Sequence, residues 1–391
     1  MTQIQGAYTI FILLLLALLL SVLLVLVWRR HHPTPRSILK REEKNPILQP
    51  IEEHDWESEA VFNPAALYLN GRVHLLYRAL GRDGVSRLGY ASSSDGIHFD
   101  ERSPQPVFQS ASFKIYQSPD NPRYRNPFRE EGRAHYYDRV RNPSGGGWAG
   151  SEDPRVVELD NKVFLTYNSF DTWQSIRVAF SSLGIPEFLA KSWLWQRSVF
   201  LSPKGSVHKN WVFFPEKING KYALLHNLHG EDETRVRITY VDESGLGSER
   251  RDVESPDPQA QPNKAIAWHH RVRSAGPPPI RTKEGWLVLY HATDKSESHR
   301  YKIGALLLSL KEPTIILGRC QVPILAPDRP YENDWKPGIV YSCGAIIKDD
   351  ELYVYYGGGD KTINLATVPL AKLTSAILHN RSIVVERRSV S

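Results

Sequence analysis

Five stretches of the chain fall into one register, and this repeat constrains the fold more than any single motif. They are NGRVHLLYRA from Asn70, DNKVFLTYNS from Asp160, NGKYALLHNL from Asn219, KEGWLVLYHA from Lys283 and DDELYVYYGG from Asp349. Each opens with a tight-turn signal and runs into a short strand of β-branched, leucine and aromatic residues. Each carries Tyr or His at its eighth position: Tyr77, Tyr167, His226, Tyr290 and Tyr356. Such units read as β-hairpins. A few residues before each turn comes a polar or Pro/Gly-rich cluster: Asn63-Pro64, Glu152-Asp153-Pro154-Arg155, Asn210-Trp211, Gly276-Pro277-Pro278 and Ser342-Cys343-Gly344. A recurring unit that cannot bury its own face implies stacking of like sheets. Five such units predict an all-β, five-bladed β-propeller. Any β-rich chain yields look-alike hairpins, but not with turn, strand and aromatic held in one register.

The N-terminus adds a second expectation. Segment 8–28 is almost purely Leu, Ile, Val and Phe, and about twenty such residues suffice to cross a bilayer as a helix. Residues 1–6 carry no positive charge and no small-residue cleavage site follows the run, which argues against a cleaved signal peptide. The organisation expected is a tail over 1–7, a transmembrane helix over 8–28, a polar, Pro-containing tether over 29–50 and the propeller over 51–391. Arg29, Arg30, Arg36, Lys40 and Arg41 follow the span and no cation precedes it. The positive-inside rule then predicts a single-pass membrane protein with its catalytic domain in the cytoplasm.

Charge and cysteine content narrow the class. The formal net charge is +6, partly spent in the tether, with Lys and Arg elsewhere interleaved with Asp and Glu. No concentrated basic stripe of the kind nucleic acid requires is present. Cys320 and Cys343 make neither a disulfide framework nor a zinc spacing, which fits a reducing compartment, and no metal site is expected. The abundant Trp and Tyr suit aromatic blade packing or flat platforms for sugar rings. Two insertions interrupt the repeats. Phe108 to Gly150, rich in Pro, Arg, Tyr and Gly, reads as a lid, an assembly contact or surface decoration. Glu231 to Lys264 reads as a solvated loop.

In a propeller the first strand of each blade lines the central axis, so the clusters upstream of the hairpins converge on one funnel. That geometry collects Asn63, Asp153, Lys209, Asn210 and Arg273, together with the hairpin-end residues Arg78 and His291. An acid beside cations and amides suits glycosyl or phosphoryl transfer: Asp153 can protonate a leaving oxygen while Arg, Lys and His hold an anion. Each has a plainer reading too. Asp before Pro forms turns, Arg78 can pair with an exposed carboxylate, and His291 can be a satisfied core histidine.

Taken in order, Asn63-Pro64-Ala65, LLYRA ending at Ala79, SSSDGIHF from Ser92, SEDPRVVELD from Ser151, KNWVFFPEKINGKYALLH from Lys209, SAGPPPI from Ser274, GWLVLYHA from Gly285 and YYGGGDKTINLAT from Tyr355 resemble the β-mannoside phosphorylases of glycoside hydrolase family 130. The likeness runs from about Phe62 to Leu373. It implies a five-bladed propeller that cleaves β-mannosidic bonds of mannooligosaccharides, mannosyl-glucose or mannosyl-N-acetylglucosamine with inorganic phosphate, inverting the anomeric centre and releasing α-mannose 1-phosphate. No cofactor is implied; phosphate is a co-substrate. By the resemblance Asp153 is the general acid, passing its proton through a sugar hydroxyl. Asn63, Arg78, Glu332 in PYEND and Asp360 in GGGDKT match sugar-site residues. Lys209, Asn210, Arg273, His291 and Tyr301 match phosphate-site residues.

Phosphorolysis is chemically coherent with one acid, because phosphate is already a nucleophile, whereas an inverting hydrolase needs a second carboxylate to activate water. The chain departs from the family pattern at His226-Asn227, where His-Arg is common, and at Arg273, where Lys is common. A hydrolase on the same fold and a non-catalytic glycan-binding propeller therefore stay open beside the phosphorylase, as does homo-oligomer formation.

Overall fold

The computed structural model describes residues 37–109, 144–147, 149–170, 176–205, 207–227, 233–234, 236–247, 261–262 and 268–388, with the isolated positions Leu14 and Ser21. By its contacts the chain divides into Met1–Ser37 and Ile38–Ser391. In the first unit only Leu14, Ser21 and Ser37 are described, Leu14 and Ser21 with helical backbone.

The membrane expectation is corrected here. Among the described residues no helix is long and apolar enough to cross a membrane, and segment 8–28, apart from Leu14 and Ser21, lies outside them. An apolar run of sufficient length states what a segment could do in a bilayer. A span also needs a continuous helix satisfying its own backbone, and no described element supplies one. The transmembrane helix, the membrane partner and the single-pass, cytoplasm-facing placement are not carried further.

The second unit is built from five antiparallel sheets. Blade 1 comprises Ala60–Leu69, Arg72–Leu80 and Val85–Ser93, edged by Glu101–Arg102; blade 2 comprises Ala149–Leu159, Lys162–Phe170, Arg177–Gly184 and Val199–Phe200. Blade 3 is Val212–Phe213, Tyr222–Asn227 and Arg237–Val241; blade 4 is Arg271–Ala275, Trp286–Thr293, Lys302–Leu308 and Ile316–Arg319. Blade 5 is Val340–Lys348, Glu351–Gly358 and Thr362–Pro369. A short parallel pairing, Val85 with Ala149 and Ser86 with Gly150, stitches blade 1 to blade 2. The first strand of blade 1 touches the first strands of blades 2 and 5, and contacts run on through blades 3 and 4, closing the ring.

The hairpin turns form because their residues tolerate left-handed backbone. Asn70-Gly71, Asp160-Asn161, Asn219-Gly220 and Asp349-Asp350 each place two consecutive residues at positive φ, the signature of the type I′ turn that matches strand twist. Blade 4 turns instead through a wider loop, Thr282 to Gly285, between the paired Arg281 and Trp286.

Second strands are buried on both faces, so they read as continuous apolar runs rather than alternating ones. In blade 4, Trp286, Val288 and Tyr290 enter the cluster shared with blade 3, while Leu287 and Leu289 enter the one shared with blade 5. Successive side chains point to opposite faces, which divides one strand between two cores. The same division makes a hydrophobic wedge at every blade boundary. The eighth-position tyrosines lie in these wedges, all buried. Space is made for them: a Cβ on Gly89 would meet the Tyr77 ring at 2.4 Å.

Two elements closing the ring carry no sequence repeat. Lys40–Arg41, inside the stretch expected as tether, pairs with the last strand of blade 5. The helix Leu370–Arg388 packs Leu373 and Ile377 against the wedge of blades 4 and 5. Most of the insertion expected as a lid, and much of 231–264, lies outside the described residues.

Candidate active site

The inner strands of blades 1, 2 and 5 carry the same irregularity. Phe62 pairs with Arg78 and Ala65 with Leu76; Glu152 with Asn168 and Arg155 with Thr166; Tyr341 with Gly357 and Gly344 with Tyr355. In each, two residues face one, a β-bulge, and the one is the eighth-position tyrosine. Blade 4 has a related shift that leaves Arg273 unpaired between Val272 and Ser274. Bulges bend a strand and re-aim a side chain. Here they turn Asn63, Asp153 and Arg273 toward the axis. Asn63, Asp153 and Asn210 sit at φ 49, 50 and 64, a region that Asn and Asp tolerate better than other side-chain-bearing residues.

The resulting funnel holds a cavity of about 510 Å³. Its walls include Asn63, Arg78, Asp153, Lys209, Asn210, Arg273, Tyr301 and Asp360, eight of the ten residues expected from the sequence. Glu332 and His291 are not among its lining residues. Glu332 is fully buried and holds the blade closure: it accepts from Arg41 Nε at 2.7 Å, from Tyr356 Oη at 2.8 Å and from the backbone N–H groups of Asp328 and Arg329 at 2.7 and 2.9 Å. His291 is fully buried behind Tyr341, the two rings stacked at 3.8 Å.

Asp153 is held from three sides. Its Oδ1 accepts from Asn63 Nδ2 at 2.7 Å and from Arg78 Nη1 at 3.4 Å, and its Oδ2 from Asn168 Nδ2 at 3.4 Å. Burial alone would raise its pKa, but Arg78, Arg155, Lys209 and the Asn63 bond outweigh burial and hold the carboxyl below the usual aspartate range. Asn63 Oδ1 is buried with no hydrogen-bond partner among the described residues and lies against Gly357, so it is the Nδ2 bond to Asp153 that gives Asn63 its part in the site.

Around this acid lies a support that the sequence reading did not single out. Glu152, fully buried, accepts from Arg78 Nη2 and Ser144 Oγ at 2.8 Å each, and from Lys209 Nζ at 3.4 Å. Arg155 ties three blades together, donating to Asp153 O at 2.8 Å, Gly276 O at 3.2 Å and Tyr341 Oη at 3.3 Å. Asn168 bonds Asn210 twice, at 3.0 and 2.9 Å. The signal for Asn168 was available: it occupies the ninth repeat position, as Arg78 and His291 do. Lys336, which grips Asp360 Oδ2 at 2.8 Å, and Ser144 come from loops with no such signal.

The lining supplied from blades 3 and 4 is cationic and half-exposed: Lys209, Asn210, Arg273 and Tyr301 are intermediate in exposure and Arg271 is exposed, with Lys209 and Asn210 also reaching Glu152 and Asn168. The Arg273 guanidinium lies 5.4 Å from the Tyr301 ring centre. Asp360, the cavity's other carboxylate, is neutralised by Lys336, which suits it to accept from a hydroxyl better than to activate water. Among the described residues no group of three or more His, Cys, Asp or Glu gathers as a metal ion would require.

A buried acid and several cations lining one propeller funnel suit a glycosyl-transferring enzyme of the glycoside phosphorylase class. Comparison with known proteins makes this specific. Residues 142–378 match the family model described as beta-1,4-mannooligosaccharide phosphorylase, and the chain belongs to glycoside hydrolase family 130. It is 34% identical over 347 residues to a 1,2-beta-oligomannan phosphorylase of Thermoanaerobacter sp. (strain X514), covering 85% of this chain and 97% of that protein. A beta-1,2-mannobiose phosphorylase of the same organism is 32% identical over 351 residues, covering 86% and 98%. Among solved structures, the beta-1,2-mannobiose phosphorylase from Listeria innocua in complex with beta-1,2-mannobiose shares the fold, with a TM-score of 0.58 and 23% identity over 87% of this chain and 99% of that one.

Proposed function

We propose that the protein cleaves a β-1,2-mannosidic bond with inorganic phosphate, inverting C1 and releasing α-mannose 1-phosphate. The observation that carries this reading is that one funnel brings together a buried acid, Asp153, and the half-exposed donors Lys209, Asn210, Arg273 and Tyr301. The choice of linkage is supported by the names of the two Thermoanaerobacter relatives.

Asp153, oriented by Asn63, protonates the leaving glycosidic oxygen through a hydroxyl of the bound mannose, with Asp360 accepting from another hydroxyl. Phosphate, held by Lys209, Asn210, Arg273 and Tyr301, attacks C1 from the opposite face. The bond from C1 to the glycosidic oxygen breaks, a bond from C1 to a phosphate oxygen forms, and the hydrogen of monohydrogen phosphate replaces on Asp153 the proton delivered to the leaving sugar. Fixing both partners in line supplies most of the advantage, since the nucleophile needs no activation. Arg78, Arg155 and Lys209 favour the ionised form of Asp153. The arriving dianion offsets that positive field and favours the protonated acid.

The test is product analysis on β-1,2- and β-1,4-mannobiose with and without phosphate. Mannose 1-phosphate formed only with phosphate, and faster from the β-1,2 substrate, is expected. Free mannose released at the same rate without phosphate would mean hydrolysis instead.

A further inference from the structure

Beside the cationic lining a buried hydrogen-bond chain leaves one proton without an acceptor among the described residues. The backbone N–H of Ser342 donates to His291 Nε2 at 3.0 Å. His291 is fully buried, so the ring stays neutral and its single N–H is on Nδ1, 3.3 Å from Ser274 Oγ. Ser274 Oγ and Tyr341 Oη lie 3.1 Å apart, and Arg155 Nη2 donates to Tyr341 Oη at 3.3 Å. The two hydroxyls own two protons. One makes the bond between them, in whichever direction. The other has no acceptor among the described residues, since His291 Nδ1 and Arg155 are both donors, and both hydroxyl residues line the cavity.

We propose that Ser274 and Tyr341 together form an additional anion donor of the phosphate subsite, kept in the donor state by His291 and Arg155. This rests on the phosphorolytic reading given above. The site lies beside the cations assigned there: the Tyr341 and Tyr301 ring centres are 6.2 Å apart, and Arg273 leans on Tyr301. His291 is then a positioning residue that does not itself touch phosphate. It fixes the polarity of the pair, so that a ligand atom at this point must be an acceptor.

Conservation of protons makes the test sharp. In Tyr341→Phe the Ser274 hydroxyl is free to turn to the cavity, and in Ser274→Ala the Tyr341 hydroxyl is, so each single variant keeps one donor. Titration calorimetry of inorganic phosphate into the full chain should show each single variant weakened by no more than about threefold. The double variant should be weakened about tenfold or more, the scale of a lost hydrogen bond to a charged group. Affinity for β-1,2-mannobiose, measured on the same samples, should stay within about twofold, a split that a merely structural role would not produce. A double variant that binds phosphate as the parent does, while Arg273→Ala is weakened, would overturn the proposal and leave the function standing. A parent protein that binds no phosphate would overturn the function itself.

Discussion

The two walls of the funnel are built on opposite principles. On the side of blades 1 and 2, Asn63, Arg78, Glu152 and Asp153 are buried and bonded to one another before any ligand arrives. On the side of blades 3 and 4, Lys209, Asn210, Arg271, Arg273 and Tyr301 stand half-exposed or exposed, with Lys209 and Asn210 reaching back to Glu152 and Asn168. The first wall fixes one acid in position and charge. The second presents donors to whatever enters. A reaction that needs a positioned proton and a held anion, with no second base, calls for this asymmetry.

Substitutions on the two walls should therefore fail differently. Asp153→Asn should lower kcat about a thousandfold, within the range for a general acid, with phosphate affinity largely kept; steady-state kinetics and calorimetry check both. Glu152→Gln should act on folding, because it leaves Arg78 and Lys209 with less charge compensation in a buried site. Urea denaturation should show a loss of about 3 kcal/mol, the cost of breaking a buried ion pair. Arg273→Ala, on the open wall, should raise the KM for phosphate about tenfold while the unfolding midpoint stays put.

A separate effect lies in the pH dependence of stability. Burial, with Arg155 behind it, pushes His291 down to about 3, and burial with Arg319 does the same to His269. Unfolded, both titrate near 6.5, so the unfolded chain binds more protons between those values. Stability is then full above about 6.5 and declines as the pH falls toward 3. Asp153, held below its unfolded value, contributes above the ordinary aspartate range and is lost as the pH falls through its lowered value. The denaturation midpoint followed from pH 8 to 3.5 should decline below about 6.5, and Asp153→Asn should flatten only the lowest part of the curve.

How much of this was legible follows from what each feature requires locally. The turns were readable because two successive left-handed residues demand Asn, Asp or Gly, as at Asn70-Gly71 and Asn219-Gly220. The bulges at Asn63-Pro64 and Asp153-Pro154 carry a local mark, proline within a strand pattern, but those clusters were read only as polar, turn-forming segments. Glu332 was not readable in its structural role, because its partner Arg41 is 291 residues away in sequence. Nor was the strand Lys40–Arg41, since two residues carry no period and the open edge of blade 5 decides the pairing. His291 was assigned to phosphate by its repeat position, yet the aromatic ring of Tyr341 comes between it and the cavity, a fact of packing between blades 4 and 5 that no repeat encodes. The apolar run at 8–28 shows the reverse error: composition was read as a spanning helix, and no described element bears that out.

The division into an acid wall and an anion wall is tested most directly by the anomeric configuration of the first product. Attack by phosphate from the face opposite Asp153 gives α-mannose 1-phosphate, seen by proton NMR early in the reaction on β-1,2-mannobiose. Formation of the β-phosphate, or of free mannose with phosphate left unconsumed, would contradict the placement of the two walls.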